Sequence, residues 1–124
     1  MAVYTVGQIS QYIKQVLSND DLLRDLWVSG EVSNTRISQS GHAYFTIKDD
    51  SSQLRCVMFR NSAGMDMLID GAAITSHGYF SFYNARGSLD LVTDIIVAIP
   101  QFKGVASSSV IALGNLRIPV PGKM

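Results

Sequence analysis

The chain has 124 residues and no net formal charge, with 47% hydrophobic and 16% charged residues. These values describe one ordered domain with a core of useful size and exclude an unfolded polyelectrolyte. They also exclude a polycation, so any affinity for nucleic acid must come from a local arrangement of charge.

The first element is a helix. Thr5 and Gln8 have the spacing of a capping box, in which each side chain satisfies an orphan backbone N–H. Val6, Ile9, Ile13, Val16 and Leu17 follow at helical spacing, with Tyr12 beside them and Lys14 and Gln15 opposite. The apolar face is expected to pack on the rest of the domain. Ser18 to Asp21 breaks the pattern, and Leu22 to Leu26 is expected to add a short helical turn.

From Leu26 the period changes to two. Val28 and Val32 alternate with Trp27, Ser29, Glu31 and Ser33, and Gly30 in mid-strand predicts a bulge or bend. A second strand runs from His42 to Lys48. There Ala43, Phe45 and Ile47 point to the core, and Tyr44, Thr46 and Lys48 point outward. Asp49 to Ser52 is a turn by composition. A third strand, Gln53 to Phe59, buries Leu54, Cys56 and Met58 and turns Arg55, Val57 and Phe59 outward, because the other choice would bury Arg55.

Asn61 to Asp70 is predicted as a short helix with Met65, Leu68 and Ile69 as its apolar contacts, ended by Gly71. Ala72 to Tyr83 is the fourth strand, with Gly78 as a second bend. Asn84 to Gly87 is a hairpin connection. Ser88 to Ile99 is the fifth strand, in which Leu89, Leu91, Ile95 and Val97 alternate with Ser88, Asp90 and Asp94, and Pro100 stops it. The expected fold class is therefore mainly β: a five-stranded OB-fold barrel with an N-terminal helix and a short helix between strands 3 and 4. Residues 1–100 form the domain. Residues 101–124 lack a sustained period and carry a serine run with Pro119 and Pro121, which reads as an irregular tail or the stump of a linker.

The lone cysteine, Cys56, excludes an internal disulfide, fits a reducing compartment and reads as a small buried side chain. No basic region followed by an apolar run opens the chain, and no apolar stretch reaches the roughly 20 residues that span a bilayer. A cytoplasmic protein is expected.

Signals for catalysis are sparse. His42 and His77 are the only histidines and have no second cysteine near them, so zinc is unsupported. Asp49 and Asp50 could bind a metal for phosphodiester hydrolysis, but adjacent strand-end carboxylates are commonly turn formers. Glu31 is expected to pair with Arg36 or accept hydrogen bonds from its neighbours. Signals for binding are better. The outward set is Trp27, Tyr44, Lys48, Arg55 and Phe59, joined by Asn34, Arg36, Ser40, His42 and Arg86 from loops. Exposed rings stack bases, and lysine or arginine neutralises phosphate. Trp27 could equally pack under the helix. On the residues alone the reading is a barrel that binds an oligonucleotide or an oligosaccharide.

These residues carry a resemblance. Tyr4-Thr-Val6, Tyr12-Ile-Lys14, Trp27-Val-Ser-Gly-Glu-Val-Ser-Asn34, Ser40-Gly-His-Ala-Tyr-Phe-Thr-Ile-Lys-Asp49 and Leu54-Arg-Cys-Val-Met-Phe-Arg60 resemble the N-terminal domain of the exodeoxyribonuclease VII large subunit. Tyr83 with Arg86-Gly87 resembles its last hairpin. The likeness covers about residues 3 to 100. It implies an OB-fold that binds single-stranded DNA, in an enzyme that degrades single-stranded DNA to oligonucleotides together with several copies of a small helical subunit. It places Asn34, Ser40, His42, Tyr44, Lys48, Arg55, Phe59 and Arg60 on or beside the DNA-facing surface. The family continues into a catalytic domain and a long helical region, and neither is recognisable by Met124. The expectation for this chain is binding without cleavage and without a cofactor. An RNA-binding or protein-assembly module is the alternative.

Overall fold

The computed structural model describes residues 1–98. The irregular tail expected over 101–124, and the strand end at Ile99 and Pro100, lie outside the described residues.

The chain opens with helix α1 (Val6–Asn19). The capping box forms as expected: Thr5 Oγ1 accepts the Gln8 N–H at 3.0 Å, and Gln8 Oε1 accepts the Thr5 N–H at 2.9 Å. The packing of α1 departs from expectation. Ser10 is buried and Ile13 and Leu17 are half-buried, whereas Val6, Ile9, Tyr12 and Val16 stay exposed. The helix packs chiefly on one strand, Ala73–Tyr83, so only a narrow stripe of it is shaded. The turn that follows is capped by Asp20, whose Oδ1 accepts the N–H groups of Leu22 and Leu23 at 2.9 Å each.

Five strands then close a barrel: β1 (Leu26–Ile37), β2 (Ala43–Lys48), β3 (Gln53–Ala63), β4 (Ala73–Tyr83) and β5 (Ser88–Ala98), in the spatial order β1-β2-β3-β5-β4. All pairs are antiparallel except β3 with β5. This is the five-stranded OB-fold barrel expected from the order of elements, with its helix at the N-terminus. β1 is long because it serves two partners. Its first half pairs with β4 and its second half with β2. Gly30 sits near this change of partner, where a Cβ would lie 3.0 Å from the Lys48 carbonyl oxygen. The expected bend is therefore a place where two backbones approach closely.

Val32, Ala43, Phe45, Ile47, Cys56, Met58, Ile74, Leu91 and Ile96 form the core. The alternation in β2 holds: Ala43, Phe45 and Ile47 are buried while Tyr44 and Lys48 are exposed. In β3, Cys56 and Met58 are buried as expected. Val57, although it belongs to the outward set, is buried as well.

Two assignments are corrected. The helix predicted over Asn61–Asp70 is only the 3₁₀ turn Met65–Met67, because β3 continues to Ala63 through Asn61, whose backbone is left-handed at φ 73°. In β5 the strict alternation fails. His77 faces Ile95 and Gly78 faces Thr93, which leaves Asp94 as an extra residue. One bulged residue reverses the parity of everything after it. Ile96 therefore enters the core, and Ile95 and Val97 are only half-buried.

Candidate nucleic-acid interface

The outer face of the barrel is built in rows by the strand register. Arg36 lies opposite Tyr44, Tyr44 opposite Val57, Val57 opposite Val92, and Val92 opposite Tyr79. The next row aligns Ser33, Thr46 and Arg55. The one after aligns Glu31, Lys48 and Gln53, so Glu31 faces Lys48 rather than Arg36. Cross-strand neighbours of this kind stand about 5 Å apart, close enough for one strand of nucleic acid to touch several at once.

An open groove of 1120 Å³ lies on this face. It brings together Asn34, Arg36, Tyr44, Arg55 and Arg86 from the expected set. A bulge that the sequence did not reveal shapes its rim. Ser33 pairs with Thr46 and Arg36 with Tyr44, so Asn34 and Thr35 together oppose one residue of β2. Asn34 takes the left-handed conformation at φ 54°, which asparagine tolerates better than most residues. The bulge is pinned by Asp70, whose Oδ1 accepts the Thr35 N–H at 3.2 Å.

Tyr44 is 37% exposed on the rigid wall of the groove. The guanidinium of Arg86, on the β4–β5 hairpin, stands over the Tyr83 ring at 4.9 Å from its centroid. Arg55 Nε lies 3.4 Å from Asp90 Oδ1. The groove therefore holds three arginines against two carboxylates, Asp70 and Asp90.

Four more expected residues form a second cluster at the tip of the β1–β2 connection. The His42 and Phe59 rings meet edge to face, with centroids 5.1 Å apart. His42 Nδ1 accepts the Arg60 backbone N–H at 3.1 Å, which leaves Nε2 as the donor of the neutral ring. Ser40 Oγ is 3.0 Å from Ser38 Oγ, and Ser38 Oγ accepts the His42 N–H at 3.1 Å. His42 thus orders the loop as well as facing outward. It lies two residues before Tyr44, or about 7 Å along the strand, so this cluster adjoins the groove. Lys48 is exposed at the far end of β2, about 13 Å from Tyr44.

Other candidates are placed elsewhere. Trp27 is 54% exposed and stands against His77, with ring centroids 4.9 Å apart, not under the helix and not in the groove. Asp49 is a turn former: its Oδ1 accepts the N–H groups of Ser51 and Ser52 at 2.9 and 3.0 Å, and these bonds hold its pKa below the ordinary value. Among the described residues no group of three histidine, cysteine, aspartate or glutamate side chains is arranged to hold a metal ion.

A family model described as "OB-fold nucleic acid binding domain" matches residues 4–97. The chain belongs to this OB-fold family. The OB-fold domain is 43% identical over 94 residues to an exodeoxyribonuclease 7 large subunit of Clostridium botulinum (strain Eklund 17B / Type B), covering 74% of this chain and 24% of that protein. It is 32% identical over 130 residues to the same-named protein of Pseudomonas fluorescens (strain SBW25), covering 96% of this chain and 28% of that one. The resemblance read from the sequence is borne out, and the chain spans about a quarter of the length of these relatives. Among solved structures the OB-fold domain is similar to a chain of a replication protein A heterotrimer bound to single-stranded DNA, with a TM-score of 0.55, 10% identity, and coverage of 67% of this chain and 63% of that one. It is also similar to asparaginyl-tRNA synthetase from Pyrococcus horikoshii, with a TM-score of 0.51, 13% identity, and coverage of 62% and 20%. At such identities the likeness establishes the fold alone.

Thr35, Asp70 and Asp90 are among the groove residues that sequence reasoning missed. Asp90 carried the needed signal only in part. Its outward parity was legible, but its position beside Arg55 depends on the parallel pairing of β3 with β5.

Proposed function

We propose that this OB-fold domain binds single-stranded DNA without sequence preference, as the nucleic-acid-binding module of an exodeoxyribonuclease VII large subunit. One observation carries the reading: Tyr44 stands exposed on the barrel wall, opposite Arg36 in the register and in the same groove as Arg55 and Arg86. A ring on a rigid sheet stacks any base, and flanking guanidinium groups hold the phosphates on either side. Phe59, with His42 and Arg60, provides a second stacking place along the same face, and Ser40 and Asn34 offer hydrogen bonds at its rim. Lys48 extends the positive path at the far end of β2.

The names of the relatives support the deoxyribonucleic partner, and the replication protein A chain is an OB-fold from a complex with single-stranded DNA. The proposed binding needs no metal and no cofactor. Degradation of single-stranded DNA, and assembly with small subunits, would belong to the longer protein of which the relatives are examples. We place the protein in the cytoplasm. Among the described residues no helix is long and apolar enough to cross a membrane.

The test is fluorescence anisotropy of a labelled single-stranded DNA oligonucleotide titrated with this chain at two salt concentrations. Matched duplex and RNA of the same sequence serve as competitors. Salt-sensitive binding that duplex and RNA displace poorly is the expected result. Preferential displacement by RNA would move the reading to an RNA-binding module. No binding up to high micromolar protein would favour a protein-assembly role for the same face.

A further inference from the structure

The groove contains a feature that a simple phosphate-binding surface does not need. Of its two carboxylates, Asp70 is committed to the bulge through the Thr35 N–H. Asp90 is not committed in this way. Its side chain is only 15% exposed, and its Oδ1 is buried without a hydrogen-bond partner among the described residues. The Arg55 Nε at 3.4 Å is longer than a charge-assisted hydrogen bond, which falls near 2.8 Å. The attraction between them is therefore one of charge at short range, with little directional bonding. Arg55 itself is 55% exposed, and among the described residues its guanidinium makes no hydrogen bond. The register explains the pairing. Cys56 and Leu91 are partners across the parallel β3–β5 seam, so the residues just before them, Arg55 and Asp90, stand side by side on the outer face.

A phosphate that binds the exposed edge of Arg55 would come within a few ångströms of this carboxylate. Two anions would then share one guanidinium, and the second would be held less tightly than at an unpaired arginine. We propose that Asp90 is a built-in competitor for the phosphate of a bound strand: it positions Arg55 at the floor of the groove and holds the affinity of the groove down. This rests on the reading of the groove as a single-strand DNA site. Asp90 is a positioning residue that acts through Arg55, and it sets how readily a strand leaves.

The test is a double-mutant cycle on single-stranded DNA binding. It compares the unaltered chain, Asp90→Asn, Arg55→Gln and the double variant, each checked for folding by circular dichroism, across a salt series. The amide is close in size to the carboxylate, so the barrel should be preserved. Asp90→Asn should bind about 3- to 10-fold more tightly at low salt. Its plot of log affinity against log salt should steepen by about 0.7 if one more phosphate is held. Arg55→Gln should weaken binding, and adding Asp90→Asn to it should restore nothing. A folded Asp90→Asn protein with unchanged or weaker binding would overturn the inference while leaving the DNA site intact, provided that Arg55→Gln still weakens binding. An equal gain in the presence and absence of Arg55 would overturn the competition and leave only a general effect of charge. No binding by any of the four would overturn the reading of the groove, and this inference with it.

Discussion

The His77 ring of β4 reaches the Asp25 carboxylate at the head of β1, with 2.6 Å between Nε2 and Oδ1. Its other nitrogen, Nδ1, lies 2.8 Å from Asp94 Oδ1 on the bulge of β5. A neutral imidazole can donate from only one nitrogen, so two carboxylate partners favour the doubly protonated ring. Partial burial would lower the pKa of His77, but the hydrogen bonds and charges of Asp94 and Asp25 outweigh it and raise it above the ordinary value. A raised folded-state pKa stabilises the fold fully below about pH 6.5, the unfolded value. That stabilisation is lost as pH rises through the folded value. Both carboxylates are well exposed, so the effect should be about 1 kcal/mol or less, or a few degrees in Tm. Thermal unfolding from pH 5.5 to 8.5 should show this decline, and His77→Gln should flatten it. Trp27, the only tryptophan, lies against the ring, so its fluorescence should titrate with the same midpoint. A pH-independent Tm difference between the two proteins would remove the imidazolium from the account.

Tyr44→Ala should weaken single-stranded DNA binding by about 1–3 kcal/mol, which is a loss of roughly 5- to 150-fold. The barrel should remain folded, because the tyrosine points away from the core residues Ala43 and Phe45. Lys48→Ala provides the contrast. Lys48 lies outside the groove, and one ammonium group offers at most one phosphate contact, so the salt slope should fall by no more than about 0.7. Anisotropy titrations of both variants decide the matter. Equal losses would mean that the strand follows the length of β2 rather than the groove.

Sequence reasoning succeeded where one local signal decided the structure. The capping box at Thr5 and Gln8 and the two-residue period of β2 are cases of this kind, and both were legible. It failed where backbone geometry overrode the pattern. Asn61 in a left-handed conformation let β3 continue where a helix was expected, and Asp94 as a bulge exchanged Ile95 for Ile96 in the core. At the site, Asn34, Arg36, Tyr44, Arg55 and Arg86 were legible as outward or loop residues of binding type and share one groove. Asp90 was not legible as a partner of Arg55, because long-range parallel pairing leaves no mark on neighbouring residues in the chain, and Asp70 was not legible because its partner, the Thr35 N–H, lies 35 residues away.

Gly78→Ala should destabilise the barrel by about 3 kcal/mol. A Cβ at this position would collide with the Val92 carbonyl, which is backbone and cannot swing away. The glycine stands beside the register shift between β4 and β5, where the strands bend to close the barrel. Urea unfolding should give a lower midpoint with an unchanged slope. A change of less than about 0.5 kcal/mol would show that the bulge at Asp94 can absorb the methyl group.

Cys56 reports on whether the barrel stays closed. It lies 3% exposed on the β3–β5 seam, opposite Leu91, in the single parallel pairing of the described barrel. Burial pushes its thiol up to about 12; a backbone hydrogen bond with Ile47 opposes the shift, and the Asp90 charge adds to it. The thiolate is the reactive form, so the native thiol should be inert toward a disulfide reagent at pH 8. It should react at once when the protein is denatured. In native buffer, labelling should proceed only as fast as the seam opens, and adding urea should accelerate it in step with loss of the fold. Rapid labelling of the native protein, with the circular dichroism spectrum unchanged, would mean that β3 and β5 separate without unfolding the rest. In that case Arg55 and Asp90, on neighbouring strands of that seam, would not be held together as the structure places them.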